Sequence, residues 1–69
     1  MPTLKELRLE ARLSVSQLAR LANLDRMTVE RAENGEAVRD VKAYAIVSTL
    51  ASQLGRTIRL EDVEGLAIL

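Results

Sequence analysis

Arg26, Met27, Glu30 and Arg31 fall within six consecutive positions. If that stretch is helical, at about 100° per residue, Arg26 at 0° puts Glu30 near 40°, Met27 near 100° and Arg31 near 140°. Val29 and Ala32 fall on the opposite side, near 300° and 240° by the same count. One face therefore offers two small apolar anchors. The other carries two arginines, a glutamate and a methionine toward solvent. A helix of about eight residues is not stable alone, so the rest of the fold must hold it in place. A convex, polar, arginine-bearing face of that width suits the major groove of DNA. The plainer alternative is a short solvated connector helix, since arginine and glutamate on an outward face are ordinary.

The elements around this stretch decide between the two. Thr3-Leu4-Lys5-Glu6 has the Thr-x-x-Glu form of a capping box and predicts a first helix from Leu4 to about Arg12. Leu4, Leu7 and Ala11 form its apolar stripe, and Arg8 falls inside it. A guanidinium in that position requires a carboxylate partner. Ser14-Val15-Ser16-Gln17 repeats the capping device and opens a second helix with Val15, Leu18, Ala19 and Ala22 on one face. Asn23 tolerates the left-handed backbone of a tight turn, and Leu24 is an apolar plug. Asp25 caps a third helix that Asn34-Gly35 ends. A capped helix, a three-residue turn and a second capped helix make a helix-turn-helix.

Glu36 to Asp40 reads as a loop. A fourth helix follows, about Val41 to Leu54, with Gly55 as its stop and Asp40 as its candidate cap. Its apolar residues sweep roughly 160° of the wheel, wider than one neighbour needs. Thr57-Ile58-Arg59-Leu60 alternates and predicts a short extended piece, and Leu60 to Glu64 predicts one helical turn. The chain then runs into the apolar stretch Leu66-Ala67-Ile68-Leu69.

Composition narrows the chemistry. The sequence has 69 residues and reads as one domain over 1–69, with no Phe, no Trp, no Cys and no His. A core of Leu, Ile, Val and Ala suits closely packed helices. Without His or Cys the commonest general base, the commonest zinc ligand and thiol chemistry are missing. No glycine-rich phosphate loop and no sheltered carboxylate pair appears, so no enzyme, no metal, no cofactor and no small-molecule substrate is expected. No signal-peptide pattern or membrane-length apolar run is present, and a soluble cytoplasmic protein is expected. Formal net charge is zero. That counts against tight phosphate binding, although distribution matters more than the sum.

Leu13 to Gly35, "LSVSQLARLANLDRMTVERAENG", resembles the helix-turn-helix core of the phage repressor and Cro-like (XRE) family. The likeness is carried by Leu13-Ser14, Gln17-Leu18-Ala19, Leu24, Thr28-Val29 and Glu33-Asn34-Gly35, with "LKELRLEARLS" and "TLASQLG" resembling the flanking helices. It implies an all-α, compact four- to five-helix, lambda-repressor-like bundle with the helix-turn-helix at about residues 14–34. It also implies sequence-specific binding of double-stranded DNA by a small transcriptional regulator. An ion pair between Arg8 and Glu33 would tie helices one and three. The base-reading positions fall on Arg26, Met27, Glu30 and Arg31, and Glu30 is favoured as the residue that orients an arginine. Phosphate contacts are expected from Ser14, Ser16, Thr28, Arg39 and Lys42. Three departures weaken the match: Val15 stands where a backbone-clamping Gln is usual, Asn23 replaces a turn glycine, and Asp40 stands near the place of a loop proline. Weak monomer binding follows from these and from the zero net charge.

The wide apolar arc and the tail suggest a homodimer, with Tyr44, Val47, Leu54, Leu66, Ile68 and Leu69 as the candidate seam. A tail folded back on its own core is the equal alternative, and for Tyr44 a core position is favoured. The competing functional class is an antitoxin-like or adaptor module that binds another protein on the same scaffold.

Overall fold

A computed structural model describes all 69 residues and contains four α-helices and one 3-10 turn. Helix α1 spans Leu4–Glu10. The Glu6 N–H donates to Thr3 Oγ1 at 3.1 Å and the Thr3 N–H donates to Glu6 Oε1 at 2.8 Å, which closes the capping box. The helix ends two residues before Arg12, where the sequence placed its end. Arg12 itself takes a left-handed backbone, with φ 59°. Its N–H donates to the Leu9 carbonyl at 3.0 Å and the Leu13 N–H to the Arg8 carbonyl at 3.1 Å. This is the reversal a glycine usually makes, so nothing in the local composition announced it.

Helix α2 spans Val15–Ala22, capped by the reciprocal Ser14–Gln17 bonds at 3.0 and 2.8 Å. Asn23, at φ 59° and ψ 43°, turns the chain, and the Leu24 N–H donates back to the Ala19 carbonyl at 2.8 Å. Helix α3 spans Arg26–Glu33, and the turn between the two helices is the expected Asn23-Leu24-Asp25. Asp25 Oδ1 accepts the Thr28 N–H at 2.8 Å. Past α3, Gly35 sits at φ +80°.

Helix α4 spans Asp40–Leu54. Asp40 is its first residue and not its cap. The cap position is Arg39, which makes no side-chain bond, while Asp40 Oδ1 accepts the N–H of Val41 at 2.8 Å. The breadth of the apolar arc has an internal cause. This helix packs against α1, α2, α3 and the 3-10 turn at Leu60–Asp62, so several neighbours share its surface. Ala43, Ile46, Val47 and Leu50 are buried there together with Leu4, Leu7, Leu18, Ala19, Val29 and Ala32.

Three of the candidate seam residues are thereby accounted for within the chain. Val47 is 2 % exposed, and Leu54 and Leu66 are partly buried against the core. Tyr44 goes the other way: it is 66 % exposed and not a core aromatic. The C-terminal stretch returns along its own molecule. The Glu64 N–H donates to the Pro2 carbonyl at 2.8 Å, the Val38 N–H to the Ala67 carbonyl at 3.1 Å, and the Leu69 N–H to the Val38 carbonyl at 2.9 Å. Two isolated parallel bridges, Thr3 with Glu64 and Val38 with Ile68, are the only β pairing.

A long-range ion pair adds to this closure. Arg56, just past α4, donates from Nη1 to Glu10 Oε2 at 2.6 Å. The Arg56 guanidinium, chiefly through this hydrogen bond, holds the Glu10 carboxyl below the ordinary glutamate range. The Thr28 hydroxyl, and then its N–H, hold Asp25 below the ordinary aspartate range. Both groups are less easily protonated folded than unfolded. Their contribution is therefore complete above the unfolded carboxylate values and is lost as pH falls through the lowered folded ones. Urea unfolding midpoints should be flat from neutral pH down to about pH 5 and fall steadily below about pH 4. Asp25→Ala should make that decline shallower.

Candidate nucleic-acid interface

The surface is built from the first turn of α2, the length of α3 and the start of α4. Helix α3 is held from beneath by Val29 and Ala32, which are 0 % and 2 % exposed. Ala19 on α2 is also buried, and its small side chain lets the two helices cross closely. Above these anchors Arg26, Met27 and Arg31 are exposed and Glu30 is half-exposed. Met27 is 59 % exposed, so its thioether is available at the surface of α3.

The arginine at the start of α3 is held by two neighbours. Its Nε donates to Glu30 Oε1 at 2.8 Å, an i,i+4 pair on the same helix. Its Nη1 reaches Ser16 Oγ on α2 at 3.4 Å. Glu30 thus occupies an orienting position beside Arg26. Ser16, placed by sequence among the phosphate contacts, is drawn toward the same guanidinium. An exposed ion pair of this kind adds little stability. What it does is restrict where the guanidinium fork points.

At the other end of α3, Arg31 shares a small cleft of ≈ 140 Å³ with Arg39 and Lys42, floored in part by Thr28 and Val38. Three cations from two helices and their loop therefore meet in one place. The positive charges of Lys42 and Arg31 also act on Asp25. Leu69 lines this cleft, so the tail and Tyr44 do not share one surface. Tyr44 borders a different concavity with Asp40, Val41 and Leu60. The single seam drawn from sequence is thus divided between two sides of α4.

Thr28 is the one expected phosphate ligand that the fold turns inward. It is 8 % exposed, and its hydroxyl donates to Asp25 Oδ1 at 2.6 Å. The residue serves the cap of α3, because a threonine third after the cap satisfies the cap's carboxylate twice. Ser14 remains at the surface. Its Oγ accepts the Gln17 N–H, which leaves the hydroxyl proton free to donate, beside the free N–H groups of the α2 first turn.

Arg8 and Glu33 lie beneath this surface and not on it. Arg8 Nε donates to Glu33 Oε2 at 2.6 Å and Nη2 to Glu33 Oε1 at 3.2 Å. Nη1 donates to the Leu13 carbonyl at 2.9 Å. Both side chains are about nine-tenths buried, at 10 % and 9 % relative exposure. One guanidinium therefore joins α1, the α1–α2 turn and the end of α3.

Local reasoning could not find the grouping of Arg31, Arg39 and Lys42, because α4's placement creates it. The Ser16–Arg26 contact was equally hidden, since it depends on the crossing of α2 and α3. No helix is long and apolar enough to cross a membrane. No group of three acidic or metal-ligating side chains is assembled.

The family model of the helix-turn-helix domain matches residues 3–67. Comparison with curated proteins and with solved structures finds no match. Domains of this kind point to DNA as the partner and are typically non-enzymatic. With its two capped helices at a three-residue turn and a match over nearly its whole length, the chain belongs to the helix-turn-helix domain family, of the XRE-like type.

Proposed function

We propose that this protein is a small transcriptional regulator that binds duplex DNA with sequence specificity, acting in the cytoplasm as a homodimer. The observation that carries the reading is the outward face of α3: Arg26, Met27, Glu30 and Arg31 displayed on a helix anchored by Val29 and Ala32.

In this reading α3 enters the major groove. Arg26, oriented by Glu30 and Ser16, forms the bidentate contact to the O6 and N7 atoms of a guanine that an arginine fork fits best. Met27 lies against a thymine methyl group. Arg31 reads a further base edge or turns to the adjoining phosphate. Ser14 and the free N–H groups of α2's first turn receive one phosphate. Arg39 and Lys42 neutralise a second, beside the N-terminus of α4. Two copies related by a two-fold axis would place their α3 helices about 34 Å apart, one turn of DNA.

In-vitro selection from random duplexes tests this directly. The expected product is a palindrome with guanine at a fixed place in each half-site and half-site centres about one helical turn apart. Affinity for the selected site should fall with salt at a log–log slope of about −0.9 per phosphate contact. Recovery of no enriched sequence, together with salt-insensitive binding, would reject the reading.

A further inference from the structure

The largest concavity is not on the α3 surface. It is an apolar groove of ≈ 570 Å³ between α4 and the Arg56–Leu60 segment, which runs back beside that helix. Tyr44, Ser48, Ala51 and Ser52 form one wall and Ile58 part of the other. At about 100° per residue, Val41, Tyr44, Ser48, Ala51, Ser52 and Gly55 make one stripe along α4. The N-terminal half of that stripe projects: Val41 is 75 % and Tyr44 66 % exposed. The C-terminal half is all small residues. The two halves are thus a knob and a hollow on one helix.

Such a surface fits a reversed copy of itself. An antiparallel α4 laid across a two-fold axis at Ser48 sets each Tyr44 over Ser52 of the partner subunit, both four residues from the axis. Val41 comes over Gly55, both seven residues away. Asp40, at the start of one α4, comes to the end of the other, where Arg56 follows the left-handed turn at Gly55, so opposite charges meet at each end. Asp40 has no ion-pair partner in its own chain, and Arg56 keeps about half its side chain exposed beyond its pair with Glu10. Two-fold interfaces require this self-complementarity, in which each patch supplies both partners of every contact. Fifteen residues of α4 give a seam about 22 Å long. A seam of that size belongs to the small, readily dissociating class of specific interfaces.

The geometry points to a second copy of this chain as the occupant of the groove, with the two α4 helices antiparallel and Ser48 on the two-fold axis. This rests on the homodimer reading above and names its surface, which leaves Val47 at the buried floor of the groove and excludes Leu54, Leu66 and the tail.

The chain has no cysteine, so one introduced thiol reports on one position. Under mild oxidation or with the shortest bismaleimide, Ser48→Cys should give a cross-linked dimer as the main product. Gln53→Cys, on another side of α4, should give almost none. Tyr44→Asp should raise the dimer dissociation constant at least tenfold by sedimentation equilibrium, with an unchanged helical circular dichroism spectrum. It is an exposed position, so the variant folds. A wild-type dimer that Ser48→Cys fails to trap and Tyr44→Asp fails to weaken would overturn this surface and leave the dimer reading standing. A wild-type monomer at hundreds of micromolar would overturn both. Selection and salt dependence test DNA binding separately in either case.

Discussion

Replacing Glu33 with alanine should remove a large part of the protein's stability and lower its urea unfolding midpoint sharply. The carboxylate receives two bonds from Arg8 at 2.6 and 3.2 Å, and both side chains are about nine-tenths buried. Removing one member of such a pair strands a buried charge and costs about 3–5 kcal/mol. A domain of this size has roughly 3–10 kcal/mol in total, at about 0.05–0.15 kcal/mol per residue. The loss is therefore at least about a third of what the fold has, and all of it at the lower end of that range. Arg8→Met alone should cost less, because a carboxylate at the end of α3 can swing toward water while methionine fills the vacated space. The double replacement Arg8→Met with Glu33→Leu should recover most of the loss, since apolar residues often replace a buried pair at little cost. The Leu13 carbonyl would still lose its donor, so recovery should fall short of complete. Urea titrations of the parent, Arg8→Met, Glu33→Leu and the double variant, followed by circular dichroism, close the cycle and give the coupling energy. An unchanged midpoint for Glu33→Ala would mean that the pair does not hold α1 to α3.

The second large effect concerns binding and not stability. Arg26→Ala with Arg31→Ala should reduce affinity for a selected duplex by about 30-fold or more. Each arginine–base pair is worth about 1–3 kcal/mol, and every 1.4 kcal/mol is about tenfold. The unfolding midpoint should stay close to that of the parent, because both side chains lie on the surface and substitutions there move stability by about 0.5 kcal/mol or less. Glu30→Gln distinguishes orientation from base reading. If Glu30 aims Arg26, the variant should loosen the preference for guanine and keep most of the affinity, as a negative charge leaves the DNA face. If Glu30 reads a cytosine itself, a different base should be selected at its own position. Fluorescence anisotropy at fixed salt, on selected and scrambled duplexes, separates these outcomes.

Helices α1 to α3 were legible because each carries its own start signal, whereas α4 follows Arg39 without a side-chain cap. Thr3 with Glu6, Ser14 with Gln17, and Asp25 each make the bond that their spacing predicts. Asn23 and Gly55 mark ends because their left-handed backbones suit those residue types. Arg12 adopts the same backbone without such a residue, so α1 ended early and unannounced. The sequence demanded a carboxylate for Arg8 from one helical wheel, but its identity came only through family resemblance. Tyr44 and Val47 were misplaced for a shared reason. Hydrophobicity says that a residue can be buried, not which neighbours reach it. Only the position of α4 among three other helices puts Val47 inside and Tyr44 out. Thr28 misled differently: its hydroxyl suits a phosphate but is used by Asp25.

The central claim is that the exposed face of α3 and the turns beside it meet the DNA. Amide chemical-shift changes in the 15N-labelled protein, titrated with a selected duplex or with mixed-sequence duplex, test it most directly. The expected shifts gather at residues 14–17, 25–31 and 39–42 and shrink as salt is raised. Shifts confined to α4 beyond Tyr44 and to the Arg56–Leu60 segment, with α3 unmoved, would contradict the claim and favour a protein-binding module.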